Sequence, residues 1–362
     1  MPQALSAQTH PGPNPPDKVE RPLGCAIVWR FHSNRFVSFM FQSDHQSPSG
    51  SIENLRARAT MLAAIRQYFA GQGVLEVETP LLCSSTATDP HLQSFAVPCA
   101  DGVRYLQTSP EFPMKRLLAA GSDSIYQICK AFRVDEVGAR HNPEFSLLEW
   151  YRVGWSLAEL QREVVRLIQL VGELFGQSWS LLAIKSYREL FVETLRVDPF
   201  VASVDELAEV AARHVAGELP ELDRLGYLDL LMSRVIEPGM PDGLLVVADF
   251  PAEQAALSVR GRDAEGNLVA RRFEVYLDGV ELANGYQELV DAGEQRQRFM
   301  ADNRERVALG LGELPLPEGL LGAMEVGLPE CSGVALGLDR LLMLGVGGRC
   351  LQDVLSFGFD RA

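Results

Sequence analysis

Apolar residues recur every three or four positions from Ile52 through Leu55, Ala59, Leu62 and Ile65 to Phe69. That spacing gives a helix one apolar face. Ser51 is a good N-cap for it, and Gly71 and Gly73 end it. VLEVETP (74–80) follows as an extended segment. A second stripe, Leu157, Leu160, Val164, Leu167, Val171 and Leu174, predicts another helix. Ser156 and Glu159 form a capping box at its start, and Gly176 stops it. Between the two helices the pattern alternates as in strands. In SIYQICKAFRVD (124–135), Tyr126, Ile128, Phe132 and Val134 share a core face, and Gln127, Arg133 and Asp135 share the other. In FSLLEWY (145–151), Phe145, Leu147, Glu149 and Tyr151 oppose Ser146, Leu148 and Trp150. If the two strands pair with polar faces aligned, Arg133, Asp135, Phe145, Glu149 and Tyr151 line one surface. Arg140, His141 and Asn142 then sit in the loop above it.

A further hairpin turns at Asp278-Gly279, a strong two-residue turn signal. Pairing outward sets Leu277 against Val280, Tyr276 against Glu281 and Val275 against Leu282. Phe273, Val275, Leu277, Val280 and Leu282 form its apolar face, and Glu274 and Glu281 meet on the other. Two carboxylates so close repel unless a cation or a proton separates them. Mg2+ bridging to phosphates suits them, since it needs only one or two protein carboxylates; an exposed pair neutralised by arginine is the alternative. SGVALGLDRLLML (332–344) places Gly333 and Gly337 ahead of Arg340 and an apolar, helix-like run. The chain has no GxxxxGK[ST] loop, no G-x-S-x-G elbow and no H-E-x-x-H pair.

The residue types on the first hairpin are those of ligand binding. Arginine grips phosphate or carboxylate through paired hydrogen bonds, a flat ring stacks on a base, and carboxylates with a phenol hold an ammonium group. A solvated face with ordinary ion pairs explains any one of them, but the whole set on one face favours a site.

Composition narrows the picture further. The chain has 362 residues, 47% of them hydrophobic, and a net charge of −15. That argues against broad, non-specific nucleic-acid binding, which needs a basic surface, while leaving a local basic patch open. The six cysteines form no CxxC pair, as in reduced thiols of a cytoplasmic protein. No apolar run reaches the roughly 20 residues that span a bilayer, and no export signal is evident. Residues 1–50, rich in Pro, Ser and Gly at both ends, are expected to be a low-order extension, with Met40 available as an alternative start. Residues 51–362 form one catalytic-sized domain, with a mostly helical insertion at about 177–245. No internal repeat is visible.

Three segments together resemble the motifs of class II aminoacyl-tRNA synthetases of the lysyl subgroup: VLEVETPLL, FRVDEVGARHNPEFSLLEWY and GVALGLDRLLML. TSPEFPMKRLL and ELANGYQEL match that family's amino-acid pocket segments. Only about 50 residues precede the first motif, too few for the anticodon-reading barrel of lysyl-tRNA synthetases. This layout resembles the elongation factor P–(R)-β-lysine ligase family, which also resembles this chain in having alanine at the position of Ala335. The resemblance implies an α+β fold, an antiparallel sheet of about six strands flanked by helices, and a homodimer formed through the first motif. It implies ATP and Mg2+ as cofactors, (R)-β-lysine and elongation factor P as substrates, no membrane and no tRNA.

By the same resemblance, Arg133 bridges the substrate carboxylate and the α-phosphate, and Arg340 holds the γ-phosphate. Val134, Asp135, His141, Asn142, Phe145, Glu281, Leu282 and Gly337 surround ATP, with Phe145 stacked on adenine. Glu274 and Glu281 bind Mg2+. Ser109, Pro110, Glu111, Glu149, Tyr151, Asn284, Glu288 and Ala335 form the amino-acid pocket. Asp135 departs from the glutamate common at its position; one methylene shorter, its contact is open to loss, a water bridge, or replacement by Glu136. The acceptor lysine must be neutral to react, and the sequence names no base for it. Two other readings stay open: a truncated lysyl-tRNA synthetase-like enzyme charging tRNA or a small molecule, and a binding module without catalysis.

Overall fold

The computed structural model describes residues 47–134 and 136–362. Most of the expected extension over residues 1–50, and Asp135, lie outside the described residues. Helix α1 (Ile52–Gly71) begins where the Asn54 amide donates to Ser51 Oγ at 3.1 Å, the cap its sequence predicts. Gly73, at φ +68°, turns the chain into β1 (Leu75–Glu76). A small antiparallel sheet follows, formed by β2 (Leu82–Cys83), β3 (Ala96–Cys99) and β4 (Gly102–Leu106). Helix α2 (Glu111–Ala119) leads into the charged hairpin, β5 (Ile125–Phe132) and β6 (Glu144–Val153). Both halves of the Ser156–Glu159 capping box form at the start of α3 (Leu157–Leu174).

The next stretch holds β7 (Leu181–Ser186), α4 (Tyr187–Leu195), α5 (Val204–His214) and α6 (Arg224–Leu231). Then come β8 (Leu244–Pro251), β9 (Arg260–Arg262), and the hairpin β10 (Leu268–Leu277) and β11 (Val280–Gln287). Helices α7 (Ala292–Ala308) and α8 (Glu318–Gly327), strand β12 (Cys331–Gly337) and helix α9 (Leu338–Gly345) complete the order.

The main sheet has nine strands among the described residues, in the order β1-β5-β6-β12-β11-β10-β8-β7, with β9 beside β10. It is antiparallel in its centre and parallel at both edges, where β1 joins β5 and β7 joins β8. The expected six strands fall short because β1 is only two residues long and β7 carries no polar alternation.

Helices α1, α3 and α9 cover one face of this sheet, packing Phe69, Val164, Ile168 and Leu341 against Leu148, Trp150, Val275 and Leu336. Burying each such side chain stabilises the fold by about 1.5–3 kcal/mol. The opposite face is covered only at its ends. Helices α4–α6 pack on Leu245, Val247 and Tyr276 at one end. Helices α2, α7 and α8 pack on Ile125, Tyr151 and Cys331 at the other. The middle strands of that face are left for a site.

Candidate active site

Strand register builds the site floor, because directly paired residues point to the same face of a sheet. Gln127 pairs with Glu149, Glu149 with Ala335, Ala335 with Asn284, and Asn284 with Glu274. The neighbouring row is Ile125, Tyr151, Gly333, Tyr286 and Arg272. The structure therefore brings the two charged hairpins onto one surface.

One expected pairing differs. Tyr276 pairs with Glu281, but Val275 pairs with Ala283, so Leu282 is the extra residue of a β-bulge. Strict alternation would put Glu281 on the face opposite Asn284 and Glu288. The bulge sends both Leu282 and Ala283 into the core and keeps all three polar residues on the site face. Leu282, expected near ATP, thus offers the site its backbone and not its side chain.

At the nucleotide end, the Arg133 guanidinium lies 4.9 Å from the centre of the Phe145 ring and pairs with Glu136 at 3.2 Å. Arg133 Nε is buried without a hydrogen-bond partner. The Val134 amide donates to the Gln93 carbonyl at 2.9 Å, which fixes the strand's exit. Arg340 donates to the Arg140 carbonyl at 3.1 Å and the Glu281 carbonyl at 2.9 Å, and lies 2.7 Å from His141 Nε2. Burial first, and Arg340 second, push the His141 imidazole down, favouring its neutral form. Asn142 spends its amide inside the protein: it donates to the Glu144 carbonyl at 2.6 Å and accepts from the Phe359 amide at 3.0 Å. It thereby shapes the loop and anchors the C-terminal segment. A Cβ at Gly337 would meet protein atoms only at ordinary contact distance, so no protein neighbour demands glycine there. The adjacent Asp339 is structural: it accepts from the Ser146 amide at 2.7 Å and pairs with Arg58.

At the amino-acid end, Ser109 Oγ donates to Glu149 at 2.7 Å and accepts from the Glu111 amide at 3.0 Å. Tyr151 donates to the other Glu149 oxygen at 2.8 Å. The Pro110 carbonyl accepts the Met114 amide at 3.0 Å and opens α2, which projects Glu111 into the pocket. Gly333 is required here, because a Cβ would come within 2.4 Å of both Glu288 Oε1 and the Tyr151 ring.

Lys115, inside a segment read for Ser109 to Glu111 alone, was missed. It is fully buried and bridges Glu111 at 2.6 Å and Glu288 at 2.5 Å. Burial opposes its charge, but the two carboxylates outweigh that and hold it protonated. Glu149 has no such cation. Burial and then the charge of Glu111 push its carboxyl up to about 8. The pocket holds three carboxylates and one lysine, so it is short of positive charge.

Between these ends, Glu274 pairs with Arg272 and accepts from the Tyr276 hydroxyl. Burial raises its carboxyl, Arg272 opposes this, and the charge of Glu281 adds to it. Arg272 also donates to Asn284 Oδ1 at 3.2 Å and stacks on Phe250 at 4.5 Å. Arg272, Tyr276 and Tyr286 gave no sequence signal beyond their place in an alternating strand.

A central antiparallel sheet that carries an arginine–phenylalanine groove and an acidic pocket on one face fits a class II synthetase core. The family model described as tRNA synthetases class II (D, K and N) matches residues 44–361, and the chain belongs to that family. Curated relatives are more particular. The Elongation factor P–(R)-beta-lysine ligase of Pectobacterium atrosepticum is 46% identical over 332 residues, 89% of this chain and all of the relative. Ligases of the same name from Photorhabdus laumondii (46% over 332 residues) and Salmonella typhi (46% over 324 residues, 98% of the relative) match similarly. At this identity over nearly their whole length, the chain belongs to the same ligase family. No helix among the described residues is long and apolar enough to cross a membrane.

Proposed function

We propose that this chain is an ATP-dependent, AMP-forming ligase that activates (R)-β-lysine and transfers it to a lysine side chain of elongation factor P. The observation that carries this reading is the trio of half-buried Glu111 and buried Glu149 and Glu288, with a single lysine, Lys115, between the first and the last, beside the Arg133–Phe145 groove. A diamino acid supplies the missing positive charge. The relatives' names support the protein substrate.

The substrate carboxylate attacks the α-phosphorus of ATP in line, and pyrophosphate leaves with the electrons of the broken P–O bond. Catalysis rests on orientation and on preorganised positive charge. Arg133 bridges carboxylate and α-phosphate, Phe145 carries the adenine, and Arg340 with His141 holds the outer phosphates. In the second step the neutral acceptor amine attacks the carbonyl carbon, AMP leaves with the electron pair of the broken C–O bond, and the amine's proton goes to solvent.

Glu274 and Glu281 are two hard-oxygen donors on one face and would hold Mg2+, although Glu274 pairs with Arg272 and Glu281 faces Arg340, the arginine-neutralised arrangement the sequence left open. No group of three or more His, Cys, Asp or Glu gathers into a metal site among the described residues. The ion would screen the phosphates. The net charge of −15, the free described cysteines and the class of substrates support a cytoplasmic enzyme that does not act on tRNA.

Incubation with ATP, Mg2+ and labelled β-lysine, followed by elongation factor P or bulk tRNA, tests this reading. Label on the protein is expected. Label on tRNA alone, or absence of pyrophosphate exchange, defeats it.

A further inference from the structure

A hydrogen bond between Ser146 and Asp339 joins the two ends of the nucleotide groove. The ladder between β6 and β12 stops at Leu147 and Gly337, where the chain turns into α9. Ser146 is the next residue of β6, and its amide has no strand left to meet on that side. It donates instead to Asp339 Oδ2 at 2.7 Å, in the first turn of α9. Phe145 precedes Ser146, and Arg340 follows Asp339. One hydrogen bond therefore sets the spacing between the adenine platform and the arginine that meets the outer phosphates.

That bond depends on a third residue. Asp339 is 2% exposed, and a buried carboxylate is costly unless it is paired. Its other oxygen, Oδ1, accepts from Arg58 of α1, the one cation that pairs with it among the described residues. The same Arg58 nitrogen donates to the Val354 carbonyl at 3.2 Å. Asn54, one helical turn earlier, donates to the Asp353 carbonyl at 2.8 Å. Helix α1 thus grips Asp339 and the C-terminal turn together. The Leu351 amide, at the start of that turn, donates to the Ala139 carbonyl at 2.8 Å and steadies the loop between β5 and β6. Among the described residues Arg58 itself hydrogen-bonds to Asp339 and Val354 and to nothing in the groove.

We propose that Arg58 is a positioning residue for ATP: through Asp339 it holds Phe145 and Arg340 at the separation that lets one nucleotide reach both. The inference rests on the ligase reading, which assigns the base and the outer phosphates to those two side chains, and it adds a residue that touches neither. A fixed spacing favours only a ligand that spans it. The two ends act as linked sites, and a ligand that meets both gains an effective concentration that neither fragment has. AMP reaches the Phe145 end and pyrophosphate the Arg340 end; ATP needs both.

Calorimetric titration of ATP, AMP and pyrophosphate in the presence of Mg2+ tests this. In Arg58→Gln the dissociation constant of ATP is expected to rise about tenfold or more, while those of AMP and pyrophosphate stay within about twofold. KM for β-lysine at saturating ATP is expected to hold steady. Arg58→Lys, which keeps a cation beside Asp339, should recover most of the ATP affinity. A general loosening weakens all three ligands alike and overturns the proposal, as does unchanged ATP affinity in Arg58→Gln. Should that variant strand Asp339 and fail to fold, the double variant Arg58→Gln, Asp339→Asn leaves no charge unpaired and is read in the same way. The parent decides independently: ATP must bind about a hundredfold or more tightly than either fragment, and a fragment that matches ATP overturns the proposal. A parent without pyrophosphate exchange would instead defeat the ligase reading.

Discussion

Glu149 couples substrate binding to pH. Burial and then the charge of Glu111 push its carboxyl from the ordinary value of about 4.3 up to about 8. Below that value the folded protein keeps a proton that the unfolded chain releases, so stability falls as pH rises from the ordinary range towards 8. An incoming ammonium favours the carboxylate and expels the proton. Binding of the diamino acid therefore tightens as pH rises from about 6 to about 8. KM for β-lysine in pyrophosphate exchange is expected to fall across that range. Because Glu288 is also pushed up to about 7, Glu149→Gln should lessen the slope without removing it and raise KM by about tenfold or more, at the level of a charged hydrogen bond; a Gln variant with the full parental slope would contradict this assignment. Arg133→Ala is expected to abolish pyrophosphate exchange, while Asp135→Ala costs much less. Equal losses would show that the shorter acid still grips the nucleotide. Arg133, Phe145 and Glu149 were legible from alternation and residue type. Lys115 was not, because a lysine on a helix is ordinarily a solvated residue, and only the fold, which brings Glu288 up to α2, buries it between two acids.

At the scale of elements, helix caps were readable because Ser51 and Ser156 act within a few residues of themselves. The β-bulge at Leu282 was not, since nothing local to Glu-Leu-Ala-Asn distinguishes a bulge from plain alternation; the core must accept Leu282 and Ala283 side by side. Gly333 has no side chain because two others occupy its space. Gly333→Ala is expected to displace Glu288 and Tyr151 and raise KM for β-lysine well above the parent value while sparing KM for ATP, as pyrophosphate-exchange kinetics will report. On the opposite face of β6, Glu163 accepts from Trp150 at 2.9 Å and from Arg152 at 2.9 Å, and Arg152 lies 4.3 Å over Trp155. Removing one partner of a buried pair strands the other charge. Glu163→Ala is therefore expected to cost about 3–5 kcal/mol in denaturant unfolding.

In the whole molecule, Ile52, Leu75 and Leu82 are each more than 40% exposed around the first motif, and β1 is a sheet edge. Exposed apolar groups on an open edge suit a two-fold interface. Light scattering is expected to show a dimer, and Leu75→Glu with Leu82→Glu to yield monomers; a monomeric parent would remove this proposal. The sequence by itself determined α1, α3, the two hairpins and the residue types of a site for phosphate, base and ammonium, because those signals depend on near neighbours along the chain. Only the tertiary structure decided that nine strands of the described residues share one sheet, that a bulge puts Glu281 and Asn284 on one face, and that Lys115 pairs with Glu111 and Glu288 and not with Glu149. Each of these depends on groups far apart in the chain competing for the same space and the same charge, which no local pattern records.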